Sequence, residues 1–275
     1  MHAPLDFRRF GSTSGRLVIY FHGAPGAPEE GSLFDRCGQE YDLEFICLDR
    51  FAIDPSLGAE AYYRCLANEV LTLAQGKTVA LVGFSIGAFI ALQTCRYLGD
   101  SVRVLHLVSA AAPLEAGDFI GEMAGGRVFQ LARQRPGLFV LLSRWQRLLA
   151  WLAPAGLFRL LFASAAGGDQ ALAADPEFKA SITGMLKRCF VDNVRGYERD
   201  IKTYVQPWQA RLSASSIATH IWHGAEDNWS PPAMADYLKT ALPNCAGFTL
   251  LERQSHYSAL YEAAPRICKS LNDAF

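Results

Sequence analysis

Short apolar runs rich in β-branched residues recur along the chain at 17–21, 43–48, 79–82, 102–108, 219–222 and 248–251. They are nearly continuous rather than alternating, which is the pattern of strands buried on both faces. Between them, 59–73, 88–98, 233–241 and 257–270 read as helical segments. Such alternation predicts an α/β fold, with a mostly parallel central sheet flanked by helices on both sides. One interval breaks the rhythm. From 113 to 212 there is no convincing strand, and Leu, Ala, Phe and Arg recur at helix-compatible spacing. A structureless loop of that length is implausible in a compact domain. The interval is therefore expected to be an inserted helical cap, with 1–112 and 213–275 forming the core.

Composition narrows the picture mainly by exclusion. The chain has 275 residues, 51% hydrophobic, with a formal net charge of −1. That suits one large domain or a core with an insertion, and it excludes disorder. The 26 basic residues against 27 acidic ones leave no positive excess for phosphates, so no nucleic-acid partner is expected. No repeat of fixed period occurs. The stretch Met1 to Arg9 has no apolar segment of the kind a secretory leader carries. The most apolar stretch, 136–163, is interrupted by Arg144, Arg147, Pro154 and Arg159, short of the ~18 apolar residues that a spanning helix requires. The seven cysteines are odd in number, dispersed, and form no CxxC pair, as expected of reduced buried thiols rather than a disulfide framework or zinc site. These features predict a soluble, cytoplasmic protein without membrane contact, whose partner is a small-molecule substrate. They do not give its oligomeric state.

Four segments carry candidate chemistry. Gly83-Phe84-Ser85-Ile86-Gly87 is a weak motif alone, but here a strand leads directly into it and a helix directly out. That context predicts a sharp turn presenting the Ser85 hydroxyl above the sheet, with glycines where side chains would collide between strand and helix. The alternative is a helix N-cap serine. The similar Gly11-Ser12-Thr13-Ser14-Gly15 follows no strand and reads as a turn. His22-Gly23-Ala24-Pro25-Gly26, after the first run, would bend the chain so that the N–H of Ala24, with that of Ile86 at a helix N-terminus, forms an oxyanion hole. His22 is expected to brace that turn; an ordinary Gly/Pro loop is the alternative.

Asp227, in Gly224-Ala225-Glu226-Asp227, ends the fifth run at the sheet edge where α/β proteins collect ligands and catalytic groups. A carboxylate there can orient an imidazole, with Glu226 and Asp118 as rivals. His256, in Ser255-His256-Tyr257, follows the last run and is the candidate general base. His106 reads as core or sheet-edge packing. His220 and His223, three apart on a strand, point to opposite faces and make no metal pair.

With these four segments in the order Ser, Asp, His, the chain resembles the α/β-hydrolase superfamily from about Arg16 to Lys269. It is most similar to the helical-cap branch of esterases, C–C bond hydrolases and proline iminopeptidases. Arg195-Gly196-Tyr197-Glu198-Arg199-Asp200, followed by Pro207-Trp208, resembles the cap-to-core sequence of bacterial members. The resemblance implies Ser85 as nucleophile, His256 as base, Asp227 as orienting acid, Ala24 and Ile86 as oxyanion donors, and no metal or organic cofactor. There is one departure. Relatives carry a glycine-containing Asp-Arg-x-Gly-x-Gly-x-Ser stretch, whereas Asp49-Arg50-Phe51-Ala52-Ile53-Asp54-Pro55-Ser56 lacks both glycines.

A serine nucleophile suits attack on a carbonyl carbon, so cleavage of a carboxylic ester on a small to medium apolar substrate is the leading expectation. Acyl transfer and C–C cleavage use the same triad. A non-catalytic ligand-binding protein is the reading from another class. Within the cap, Phe139, Leu142, Trp145, Leu149 and Leu152 fall at helical spacing beside Arg144 and Arg147. This face is expected to pack on the core with the arginines reaching water; lining a substrate tunnel and lying on a membrane surface are the other two readings.

Overall fold

A computed structural model describes residues 5–214 and 216–274, apart from the side chains of 214 and 274. The first four residues, part of both the expected core and the stretch read for a leader, lie outside the described residues.

Strands β1 (Phe7–Gly11), β2 (Arg16–Phe21), β3 (Leu43–Leu48), β4 (Val79–Phe84), β5 (Val102–Val108), β6 (Thr219–Gly224) and β7 (Cys245–Leu251) form a seven-stranded sheet in the order β1-β3-β2-β4-β5-β6-β7. Only β1 runs antiparallel; every other neighbouring pair is parallel. The central strand β4 is buried along its whole length, as its unbroken apolar run requires. The outer strand β7 is mostly half-exposed, so the expectation of burial on both faces fails there: it has a neighbour on one side only. β1, an antiparallel strand that no apolar run marks, is the opposite edge. It is short and carries exposed arginines that discourage further pairing.

Helices α1 (Asp35–Glu40), α2 (Ala59–Ala74) and α3 (Ile86–Cys95) belong to the first half. Then α4 (Gly126–Gln134), α5 (Pro136–Leu152), α6 (Pro154–Leu161), α7 (Asp169–Ala174), α8 (Pro176–Lys187) and α9 (Val194–Tyr204) follow one another between β5 and β6, with α10 (Pro232–Ala241) and α11 (His256–Ala274) completing the chain. Proline opens α5, α6 and α8, where its missing N–H is no loss and its φ suits the first turn.

α5 departs from the sequence expectation. Its buried residues are Phe139, Ser143, Gln146 and Ala150, while Trp145 and Leu152, expected to face inward, are exposed. Hydrophobic periodicity located the helix but did not reveal which of its two apolar stripes faces the core.

The order of the sheet positions the site. From β2 the chain moves outward to β3, then returns to β4 on the other side of β2 and continues in that direction. The strand order therefore reverses between β2 and β4, and the crevice beyond their carboxyl ends is where open α/β sheets bind ligands. The loops after β2 and β4 carry Ala24 and Ser85.

Candidate active site

Ser85 joins β4 to α3 with φ 56° and ψ −124°, a backbone conformation that non-glycine residues rarely adopt. The surrounding packing enforces it. A Cβ on Gly87 would lie 2.1 Å from the carbonyl oxygen of Phe21, and one on Gly83 would lie 2.6 Å from the Cα of Ala88. Strand and helix thus approach closely enough to hold the serine in a tight turn. Ile86 is the first residue of α3, so its N–H has no intrahelical acceptor.

His256 opens α11 and is buried. Its Nδ1 lies 2.9 and 3.1 Å from the two carboxylate oxygens of Asp227. A carboxylate only accepts, so Nδ1 carries a proton directed at Asp227. Asp227 also accepts from the N–H groups of Trp229 and Ser230, each at 2.9 Å. Burial raises the carboxyl of Asp227, but His256, His223 and the Ser230 N–H outweigh burial and hold it below the usual carboxylate value. Glu226 and Asp118, the rival acids, are exposed. No hydrogen bond joins the Ser85 hydroxyl to His256 among the described residues, a separation common in sites without substrate.

Several residues hold the imidazole without being legible as site residues in the sequence. Trp229 stacks on the ring at 5.3 Å and 14°, and Phe84 packs against it at 4.8 Å. Ser109 donates to the carbonyl of His256 at 3.1 Å. Asp169, buried on α7, accepts from the N–H groups of Tyr257 and Ser258, capping the helix that starts at His256. This last contact spans 89 residues of sequence, and no local signal reveals it.

The loop after β2 is braced from within. His22 Nδ1–H donates to the carbonyl of Gly23 at 2.8 Å, and burial followed by the charge of Arg50 pushes its pKa well below the ordinary imidazole value. His22 is therefore a neutral strut. Glu30 accepts from the Gly23 N–H at 2.8 Å and the Tyr20 hydroxyl at 2.7 Å. Burial raises its carboxyl to about 7 against the opposing influence of those two donors, Arg50 and His256.

The atypical 49–56 loop is tied to the helical segment instead of bending on its own glycines. Arg50, buried, donates from Nε to Asp200 at 2.8 Å and from a terminal nitrogen to the carbonyl of Gly23 at 3.1 Å. Arg199 pairs with Asp200 at 2.9 Å, donates to the carbonyl of Arg50 at 2.8 Å, and lies 3.5 Å over the ring of Tyr62. Here the glycine is supplied by α9: a Cβ on Gly196 would sit 2.1 Å from the carbonyl oxygen of Phe51.

Between the sheet edge and the helical segment lies a cavity of about 70 Å³. The core contributes Ala24, Ser85 and Ile86 to it, and the helical segment Phe129, Gln146 and Tyr197. Two lining residues, Gln146 and Trp229, each have a buried polar atom without a partner, Oε1 and Nε1 respectively. A larger, shallow depression around Glu115, Trp208 and Tyr237, of about 600 Å³, contains none of the candidate residues. His106 and His220 stack on each other at 5.0 Å, whereas His223 points to the Ser230 carbonyl at 2.8 Å. Among the described residues no cluster of His, Cys, Asp and Glu could hold a metal ion.

Comparison with known proteins places these features in context. The sequence profile described as "Alpha/beta hydrolase family" matches residues 18–268. No curated protein matches the chain in sequence. Among solved structures, a bromoperoxidase from Bacillus anthracis is similar over 98% of this chain and 94% of its own, with TM-score 0.65 and 16% identity. An esterase from Thermogutta terrifontis is similar over 98% and 92%, with TM-score 0.65 and 20% identity. An esterase from Exiguobacterium antarcticum is similar over 97% and 93%, with TM-score 0.64 and 19% identity. At these identities the likeness is one of fold.

Proposed function

The chain belongs to the alpha/beta hydrolase family, and from that premise we propose that it is a serine hydrolase cleaving a carboxylic ester with a short apolar acyl group. The observation that carries the proposal is the shared cavity: Ser85 and both candidate oxyanion donors, Ala24 and Ile86, line the same small apolar space. The buried His256–Asp227 pair stands behind it, against Trp229.

In this reading the hydroxyl of Ser85 attacks the ester carbonyl carbon as its proton passes to Nε2 of His256. Asp227, fixed by two backbone N–H groups, keeps the proton on Nδ1 and stabilises the imidazolium. The negative charge on the tetrahedral oxygen meets the N–H groups of Ala24 and Ile86. Collapse expels the alcohol with the proton from His256, leaving an acyl-serine. Water, deprotonated by the same nitrogen, then releases the acid. These steps require no metal or organic cofactor.

The cavity supports a short acyl group. It is small, about 70 Å³, and side chains such as Ile86, Val128, Phe129 and Ile201 give it an apolar wall. Residues 113–212 act as a cap in this account, and longer chains need α4 and α5 to move. The test is turnover of p-nitrophenyl esters from acetyl to long-chain acyl by wild type and Ser85→Ala. Short esters are expected to be hydrolysed, with rates falling as the chain lengthens, and the variant should lose on the order of 10⁴-fold or more. Equal turnover by the variant refutes the nucleophile. Binding of ester without turnover by wild type assigns the cavity to ligand binding alone.

A further inference from the structure

We propose that the outer face of α5 and α6 seats the protein on an anionic phospholipid bilayer. Ten large apolar side chains stand exposed among the described residues, and seven of them lie between Leu138 and Leu160. Leu138, Leu141, Trp145, Leu148 and Leu152 recur along α5 at intervals of three and four, forming one stripe on the helix. Trp151 flanks that stripe, and Leu160 continues the apolar surface on α6. Leu141, Trp151 and Leu152 are each about two-thirds exposed, at 65%, 65% and 64%. The opposite, buried side of the same helix carries Phe139, Ser143, Gln146 and Ala150. A helix that leaves this many leucines and tryptophans exposed is built for an apolar neighbour that the described residues do not supply.

The charge around this face selects the neighbour. Arg144 and Arg147 lie on α5 and Arg159 on α6, within a stretch from Met123 to Gly168 that holds six arginines and no lysine, aspartate or glutamate. All six arginines are exposed, and Arg144 alone has a carboxylate, Glu198 at 3.7 Å, within ion-pair distance among the described residues. A second copy docking through the same face would set arginines against arginines, which disfavours a symmetric dimer. A surface that is apolar within and anionic at its rim matches both features: leucines enter the acyl boundary, tryptophans sit at the headgroup level, and arginines meet lipid phosphates. No helix among the described residues is long and apolar enough to cross a membrane, so α5 lies on the bilayer rather than through it. The proposal takes up the membrane-surface reading of this helix in place of the expectation of no membrane contact.

The test is co-sedimentation with phosphatidylcholine vesicles, with and without phosphatidylglycerol, at low and high salt. Wild type should pellet with the mixed vesicles at low salt and remain in solution with phosphatidylcholine alone. Raising the salt, or replacing Arg147 and Arg159 by Gln, should lower partitioning about tenfold or more. Leu141→Glu combined with Trp151→Glu should abolish it, while turnover of a soluble short ester is unchanged because neither residue lines the cavity. Wild type that stays in solution with mixed vesicles at low salt overturns the proposal, as does a Leu141→Glu/Trp151→Glu variant that pellets like wild type. A dimer in sedimentation equilibrium that these substitutions dissociate, without vesicle binding, assigns the face to a second copy instead.

Discussion

α3 and α5 are both apolar helices, yet they stand in opposite relations to water. All ten residues of α3 are buried, because the helix is packed between β4, α2 and α9. α5 buries only one narrow side and leaves its richest apolar stripe outside. α3 belongs to the layer that holds Ser85 at the strand end, where close packing leaves no freedom. α5 belongs to the helical segment between β5 and β6, and its inner side contributes Gln146 to the cavity wall. Apolar content alone therefore does not distinguish a helix that builds the site from one that covers it; the neighbours that topology provides do.

Glycine substitutions sharpen this contrast most strongly. Gly87→Ala places a Cβ 2.1 Å from one backbone carbonyl oxygen and 2.3 Å from another, neither of which can yield cheaply. A loss of about 3 kcal/mol or more in urea unfolding is expected. Gly184 in α8 has open space around its Cβ position, and Gly184→Ala should instead stabilise by ~0.5–1 kcal/mol. Equal effects from the two variants would erase the difference between the layers.

The second largest effect concerns the joint between the two regions. Asp200→Asn leaves the buried guanidinium groups of Arg50 and Arg199 without their carboxylate. Breaking a buried ion pair this way costs about 3–5 kcal/mol. Thermal unfolding of the variant measures this, and an unchanged midpoint would show that α9 is not anchored through that group.

A smaller and pH-dependent effect comes from Glu30. Its carboxyl is raised to about 7 by burial, above the value of an unfolded chain. The folded state therefore holds a proton that the unfolded state releases, and stability falls as pH rises through the interval between roughly 4.3 and the raised value. The loss is at most about 4 kcal/mol. His22 and His223 act in the other direction, since burial keeps them neutral and acid destabilises them below the ordinary imidazole value. Comparing Glu30→Gln with wild type across pH isolates the carboxyl: the variant should lack the decline toward neutral pH, and parallel curves would contradict this assignment. The smallest expected effect is Trp151→Glu, within about 0.5 kcal/mol by the same unfolding assay, because the side chain is exposed. A large loss would mean that this face of α5 is packed after all.

What the sequence makes legible follows physical range. The run at 102–108 marks β5 to the residue, because a strand buried on both faces admits few polar positions. The tight turn at Ser85 is legible because its glycines lie two residues away on either side. In the sequence Glu226 and Asp118 rival Asp227, and the structure sets Asp227 against His256 while both rivals face solvent. Contacts that cross the chain are not legible. Asp169 caps α11 and Gly196 stands on Phe51 without any local pattern to show it. Absence of glycine from 49–56 pointed to something unusual there, but not to the fact that α9 provides the close approach. The bounds of β1 are not legible because an edge strand of five residues with two arginines has too little apolar signal.

The central claim is that Ser85 is the nucleophile, and covalent capture tests it most directly. Wild type is treated with a fluorophosphonate, digested and read by mass spectrometry, with a short ester as competitor. One phosphonylated peptide is expected, modified at Ser85, with labelling slowed by the ester and strongly reduced in His256→Ala. Labelling of another residue, or none in protein that hydrolyses the ester, would contradict it.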